Sequence, residues 1–167
     1  MSEVFNMFDQ PATVENTSLY FEAWSSVIRA MQQCIVEIKQ LGLSDDIEVL
    51  NLDDHADIRE LPKKDYVFFS SFNQMGDEHQ LEYGFFVGCS TWADTNNLRH
   101  TRLISYLASR FAPARAISIV RDNGNGELET IGKLNIQSGT EVMPMSKSDQ
   151  RSVQFIEVHS LSTTTVL

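Results

Sequence analysis

The stretch DQRSVQFIEVHSLSTTTVL, at residues 149–167, decides how the sheet of this protein is built. Its side chains alternate over residues 152–159, which predicts a β-strand with two different faces. One face carries Val153, Phe155 and Glu157, and the opposite face carries Gln154, Ile156 and Val158. Residues 162–167 contain no charge, glycine or proline that would protect an exposed strand edge. This tail therefore needs a pairing partner, which is either its own sheet or another chain.

The length and composition predict one globular domain. The chain has 167 residues, of which 42% are hydrophobic, and a domain of this size removes roughly 70% of its unfolded surface from water. We expect an N-terminal arm at 1–16, a single domain at 17–161 and a C-terminal tail at 162–167. No apolar run approaches the ~20 residues of a transmembrane helix. The start lacks a secretory signal, and Cys34 and Cys89 are too few for a disulfide framework, so cytoplasmic folding is expected.

Two segments have the apolar spacing of three and four residues that is typical of amphipathic helices. The first covers residues 18–41, and Gly42 follows it as the left-handed residue that ends a helix. The second lies within residues 94–113, with Asp94 or Thr95 available to cap its free N–H groups.

Five segments before the final strand are rich in β-branched and aromatic residues and are bounded by turn signals. They are residues 47–52, 65–74, 81–92, 115–122 and 127–136. Gly-containing turns join the second segment to the third and the fourth to the fifth as hairpins. Residues 137–150 are predicted to form a long loop. Hairpins separated by helices predict an α+β fold, with two helices packed on one face of a mainly antiparallel sheet.

The net charge of −10 is unevenly distributed along the chain. Residues 1–60 hold twelve Asp or Glu and three Lys or Arg, whereas residues 95–121 hold five arginines and no acid. One interpretation is an ordinary solvated helix surface. The other is self-association, in which Arg99, Arg102 and Arg110 of one copy face the acidic region of a neighbour. A nucleic-acid-binding domain is disfavoured, because such domains usually present a net basic face.

No cluster in the sequence has the ligand spacing of a metal site. The run DDHAD at 53–57 has no glycine to turn its carboxylates around one ion. The run DNGNGE at 122–127 has Gly124 where a calcium loop needs Asp or Asn, and a hairpin turn explains it. The histidines are isolated from one another and lack zinc spacing: His55, His79, His100 and His159. No metal and no cofactor are therefore predicted.

Cys89 is the one residue that would support an enzymatic interpretation. It follows a predicted strand in FFVGCSTW, where a nucleophile can stand at a turn. No histidine lies close in sequence, although His100 or His159 could approach in space. A buried small thiol is the favoured interpretation, and an enzyme that uses Cys89 is kept as an alternative.

The order of elements resembles that of the tail terminator proteins of tailed bacteriophages. The resemblance covers residues 17–161 and lies in the first helix SLYFEAWSSVIRAMQQCIVEIKQL, the central hairpin, the second helix NNLRHTRLISYLASRF and the strand RSVQFIEVHSL. It involves no fixed motif of functional residues. The chain departs from the smaller members of the family in its arm at 1–16 and its loop at 137–150.

The resemblance implies a virion structural protein without catalysis. It implies a hexameric ring that caps the tail tube, meets the tail tube protein and the neck or connector proteins, and lets DNA pass through an acidic lumen without specific binding. Such a protein is located in the tail or neck of the virion, is assembled in the host cytoplasm and contacts no membrane. In a ring the last strand can be covered by the next subunit, which would add Val153, Phe155 and Ile156 to the inter-subunit interface.

Replacing Arg99, Arg102 and Arg110 with glutamate is then expected to weaken assembly and to leave the fold intact. The alternatives are another head–tail connector or neck protein of the same assembly, the enzyme that uses Cys89, and a monomeric adaptor.

Overall fold

The computed structural model describes Met7 and residues 19–54, 60–77 and 80–164. It confirms the α+β class, with two helices and one eight-stranded mixed sheet. The elements are α1 Tyr20–Gln40, β1 Ile47–Asn51, a short 3-10 helix at Leu52–Asp54, β2 Asp65–Asp77, β3 Gln80–Trp92, α2 Leu98–Arg110, β4 Ala116–Asp122, β5 Leu128–Ile136, β6 Glu141–Val142, β7 Ser146–Ser148 and β8 Arg151–Thr164. The predicted arm at 1–16, apart from Met7, lies outside the described residues.

The main path of the sheet has the strand order β1-β2-β3-β8-β5-β4. β1 pairs with β2 in parallel, and the other paired strands are antiparallel. β8 lies in the middle, with β3 along one side and β5 along the other side of its C-terminal end. The predicted hairpins 65–92 and 115–136 are both confirmed by the registers of β2 with β3 and of β4 with β5.

The last strand finds a pairing partner within its own chain. β8 continues past the predicted boundary at 161, and Ser162, Thr163 and Thr164 pair with Leu134, Lys133 and Gly132 of β5. The described part of the tail therefore pairs with its own sheet. Residues 165–167 lie outside the described part of the chain.

The predicted loop at 137–150 is wrong over part of its length. β6 and β7 lie within it and pair with the N-terminal half of β8, beyond the end of β5. Backbone groups make this ladder, so it does not depend on the apolar side chains by which strands are recognised in a sequence. All five residues of β6 and β7 are exposed, which explains why the segment has the composition of a loop.

The ends of both helices follow local signals. Gly42 has a φ of 68° at the end of α1, and Leu43 N–H donates to the carbonyl of Ile38 across 3.0 Å, which is the hydrogen bond of a Schellman motif. Before α2, the carboxylate of Asp94 accepts a hydrogen bond of 2.7 Å from the backbone N–H of His100. Gly42 therefore acts as predicted. Asp94 accepts from a free N–H of the first turn, but the residue at the N-cap position is Asn97.

The two faces of β8 enter different hydrophobic clusters, as the alternation predicts. Ile156 and Val158 lie in the main core, which contains buried residues of both helices together with Cys34 and Cys89. Val153 and Phe155 pack on the opposite face, against a smaller cluster formed by Leu50, Tyr66 and Phe68. The second face carries neither helix's core residues, and we call it the helix-free face.

The sheet leaves the outer side of β4 open among the described strands. The carbonyl of Arg115 accepts from Ile136 N–H, whereas Val120 N–H donates to Ser26 Oγ of α1 across 2.9 Å. Since backbone groups alternate along a strand, the N–H and C=O of Ala116 and Ser118 point away from β5, as those of Val120 do. β4 therefore presents a hydrogen-bonding edge towards α1.

Candidate assembly surface

Arg99 is engaged within its own chain. Its Nε lies 2.7 Å from Asp65 Oδ2, and its Nη2 donates to Asp65 Oδ1 across 3.2 Å and to the carbonyl of Trp92 across 2.7 Å. Asp65 is 4% exposed and also accepts hydrogen bonds from Ser44 Oγ and from the backbone N–H of Trp92. The hydrogen bond to Asp65 raises the pKa of Arg99. Arg99 thus anchors the start of α2 to β2 and β3.

Arg110 makes a second ion pair at the other end of α2. Its Nε donates to Glu37 Oε2 of α1 across 2.8 Å, and the hydroxyl of Tyr106 donates to the same carboxylate. Burial alone would raise the pKa of Glu37, but the hydrogen bonds from Tyr106, Arg110 and Gln33 outweigh it and lower that pKa. The side chain of Arg110 is 49% exposed and that of Glu37 is 18% exposed, so this pair is partly exposed.

Of the three arginines predicted for an interface, Arg102 alone is exposed without an ion pair to any described residue. Val153 and Phe155 are half-buried on the helix-free face. Ile156 is 1% exposed in the main core, so a neighbouring copy could not contact its side chain on this fold. Arg102, Val153 and Phe155 are the predicted residues that remain accessible without an ion pair, and Arg110 is exposed but paired with Glu37.

Phe155 belongs to an aromatic group on the helix-free face. Its ring lies 4.8 Å from that of Phe68 and 6.0 Å from that of Phe86, both in edge-to-face geometry. Phe68 is fully buried, whereas Phe86 and Phe155 are partly exposed. This face therefore offers an apolar surface over the paired strands β3 and β8.

Cys89 does approach a histidine, as one alternative required. Its Sγ lies 3.8 Å from His100 Nδ1, and the two ring nitrogens of His100 lie 2.9 Å from Thr91 Oγ1 and 3.1 Å from Gln154 Oε1. Cys89 is 0% exposed and His100 is 1% exposed. Burial raises the pKa of the Cys89 thiol and lowers the pKa of His100. Both groups are thus held neutral, away from the surface.

The other candidate ligands do not form a site among the described residues. No group of three or more His, Cys, Asp or Glu side chains there could hold a metal ion. His55 and His79 lie outside the described residues, and His159 pairs with Glu157 across 3.2 Å. The run at 122–127 forms the β4–β5 turn, in which Asp122 Oδ1 accepts from Gly124 N–H.

Arg151 is a buried cation that no pattern in the sequence identified. Its guanidinium lies 5.6 Å from the ring centre of Tyr66 and 5.2 Å from that of Trp92. It donates to the carbonyls of Pro62 and Lys64 and to Ser90 Oγ. Burial lowers the pKa of Arg151. Its contacts fix the start of β8 to the segment before β2, so it has a structural role.

A groove of about 600 Å³ lies between α1 and the open edge of β4. Its walls include Arg29 on α1, Arg115, Ser118 and Val120 on or beside β4, and the exposed Leu128 of β5. We call this the α1–β4 groove. Sequence reasoning missed it, because the pattern of β4 does not show that it ends a sheet. The five arginines at 95–121 were the one related signal, since Arg110 and Arg115 both line the groove.

Neither a family model nor a curated protein matches this chain. Within the described residues, no helix is long and apolar enough to cross a membrane.

Proposed function

We propose that this chain is a virion structural protein of the tail-terminator kind, which assembles into a hexameric ring, caps the tail tube and offers a docking surface to the head and neck. The observation that carries the proposal is the open edge of β4 beside the α1–β4 groove. Unpaired backbone groups at a sheet edge favour pairing with another chain. Such an edge is one kind of surface through which copies of a chain associate.

The surroundings of Cys89 support a function without catalysis. A nucleophilic cysteine acts as a thiolate that reaches its substrate. Cys89 is fully buried, and burial raises its thiol pKa. A thiol-reactive probe applied near neutral pH should therefore label Cys89 only after unfolding, and rapid labelling of the native protein would favour the enzyme instead.

The proposed architecture is two helices on one face of a mainly antiparallel sheet. It is supported by the shared core of α1 and α2 and by β1–β2, the one parallel pair among the described strands. The proposed partners are further copies of this chain, the tail tube protein and the neck or connector proteins, with DNA passing through the lumen. We place the assembled protein in the tail or neck of the virion.

Arg102 is the arginine of the predicted interface whose charge is free to act between subunits. Because Arg99 binds Asp65 and Arg110 binds Glu37, replacing all three arginines with glutamate would also destabilise the fold. Arg102→Glu changes an exposed arginine that has no ion pair to a described residue. It is therefore the cleaner test of charge between subunits.

The solution mass of the purified full-length protein, measured by light scattering across concentration and salt, tests the proposal. We expect a species of six copies that appears as a ring in negative stain, either alone or after addition of isolated tail tubes. A protein that stays monomeric and does not associate with tube ends would contradict the proposal. Lys133→Glu, on the exposed surface of β5 and away from the groove, is the charge-matched control for Arg102→Glu.

A further inference from the structure

The α1–β4 groove combines a hydrogen-bonding edge with apolar and cationic walls. The N–H and C=O groups of Ala116 and Ser118 face it, and no described strand pairs with them. Leu128 is 51% exposed in its wall. Such a combination fits an extended segment that makes main-chain hydrogen bonds and buries alternate apolar side chains.

The charge of the groove selects the kind of segment. Arg29, Arg110 and Arg115 line it, and Glu37 is the acidic residue among its lining side chains. Arg110 is paired with Glu37, whereas Arg29 and Arg115 are exposed and make no ion pair with any described residue. An acidic segment with apolar residues therefore complements this surface.

The first 18 residues of the chain have that composition. Residues 1–18 contain Glu3, Asp9 and Glu15 and no lysine or arginine, and residues 4–8 read VFNMF. At ~3.3 Å per residue, an extended segment of this length spans about 60 Å, which is enough to reach an adjacent subunit. The segment joins the described chain at Leu19, directly before α1.

Met7 indicates which copy supplies the segment. In the single chain Met7 is 79% exposed, so its apolar side chain is not covered by the chain's own groove. Met7 is not among the residues that line the groove of the single chain. If the N-terminal segment of one copy lies in the groove of a second copy, the groove is covered and Met7 of the segment becomes buried.

We propose that residues 3–9 of one copy bind as an added strand along Ala116–Ser118 of β4 in a second copy, in the α1–β4 groove. The Val120 N–H is already bonded to Ser26, so residues 4–8 pair with Ala116 and Ser118 and cover Ile117. Glu3 and Asp9 then face Arg29 and Arg115. This inference rests on the proposed self-assembly and specifies one of its contacts.

Cysteine cross-linking between differently substituted full-length chains tests the proposal. Both preparations carry Cys34→Ala, because Cys34 is a free thiol that lines the groove, whereas Cys89 is buried outside it. One preparation also carries Val4→Cys and the other Ser118→Cys. We expect a disulfide-linked dimer after oxidation of the mixture, and several-fold less of it when Ser118→Cys also carries Arg29→Glu and Arg115→Glu. Ser138→Cys, exposed and outside the groove, is the control for random collision.

The outcomes separate this inference from the proposed function. A cross-link no stronger than that of the Ser138→Cys control overturns the inference, and light scattering of the same samples then shows whether assembly itself persists. Rings without the cross-link would retain the proposed function and reject the segment. If Val4→Cys and Ser118→Cys in one chain give only an internally linked monomer, the segment binds its own groove and the exchange between copies is rejected.

Discussion

The two ends of α2 carry ion pairs of the same chemical type in different surroundings. At the N-terminal end, Arg99 binds Asp65, whose side chain is 6% exposed and accepts two further hydrogen bonds from Ser44 and Trp92. At the C-terminal end, Arg110 is 49% exposed and binds Glu37, whose side chain is 18% exposed. A buried carboxylate loses its hydration and depends on every partner, whereas an exposed one can exchange a partner for water. Asp65 is the more deeply buried of the two acids, so Arg99 contributes more to the free energy of unfolding than Arg110 does.

The largest expected effect is that of Asp65→Asn. This change leaves Arg99 next to a neutral amide that cannot accept all four hydrogen bonds in the same geometry. We expect a loss of about 3–5 kcal/mol in the free energy of unfolding, measured by urea denaturation. Glu37→Gln is the matched substitution at the other end of α2. If Asp65→Asn costs no more than Glu37→Gln, burial does not separate the two ends.

Replacement of each arginine by lysine gives a smaller difference. Lysine keeps the charge but cannot reproduce the two-pronged contact of Arg99 with Asp65 or its bond to the Trp92 carbonyl. We expect Arg99→Lys to lose about 1.5–2 kcal/mol of unfolding free energy. Arg110 also makes a two-pronged contact, with Glu37, but its own side chain is 49% exposed. Arg110→Lys is therefore expected to lose less than about 1 kcal/mol. Equal losses for the two variants, measured by urea denaturation, would show that the burial of the acid does not distinguish the two ends of α2.

Glu37→Gln is expected to cost about 1 kcal/mol at neutral pH, the upper end for a surface pair. Hydrogen bonds from Tyr106, Arg110 and Gln33 overcome burial and lower the pKa of Glu37 below its usual 4.5. A carboxylate with a lowered folded-state pKa stabilises the fold above its unfolded pKa, and this contribution is lost as the pH falls through the folded value. The difference between wild type and Glu37→Gln should therefore shrink from pH 7 to pH 3. A difference that grows on acidification would reverse the assigned sign.

Local patterns predicted the elements that depend on neighbouring residues. The alternation of Val153 and Phe155 with Ile156 and Val158 gave β8 and its two faces, because side chains of a strand alternate. Gly42 marked the end of α1, since glycine adopts positive φ without a Cβ clash. These signals require no knowledge of distant residues.

Long-range pairing could not be predicted in the same way. Arg99 and Asp65 are 34 positions apart, and Arg110 and Glu37 are 73 positions apart. The sequence placed the arginines on an outer helix surface but contained no signal for the acids that meet them. The α1–β4 groove depends on strand order for the same reason, because β4 becomes an edge only when β5 joins β8.

Arg102 extends the comparison to an arginine of the same helix that has no ion pair within the described residues. Arg102→Glu removes no such contact, so the free energy of unfolding should change by less than about 0.5 kcal/mol. In the proposed ring, the same change places a negative charge where a neighbour's acidic surface would approach, and the mass measured by light scattering should fall. High salt should reduce the difference from wild type, because exposed charges are screened over about 8–10 Å. Since stability is unchanged, a lower mass would assign Arg102 to contact between copies, and an unchanged mass would exclude it from the interface.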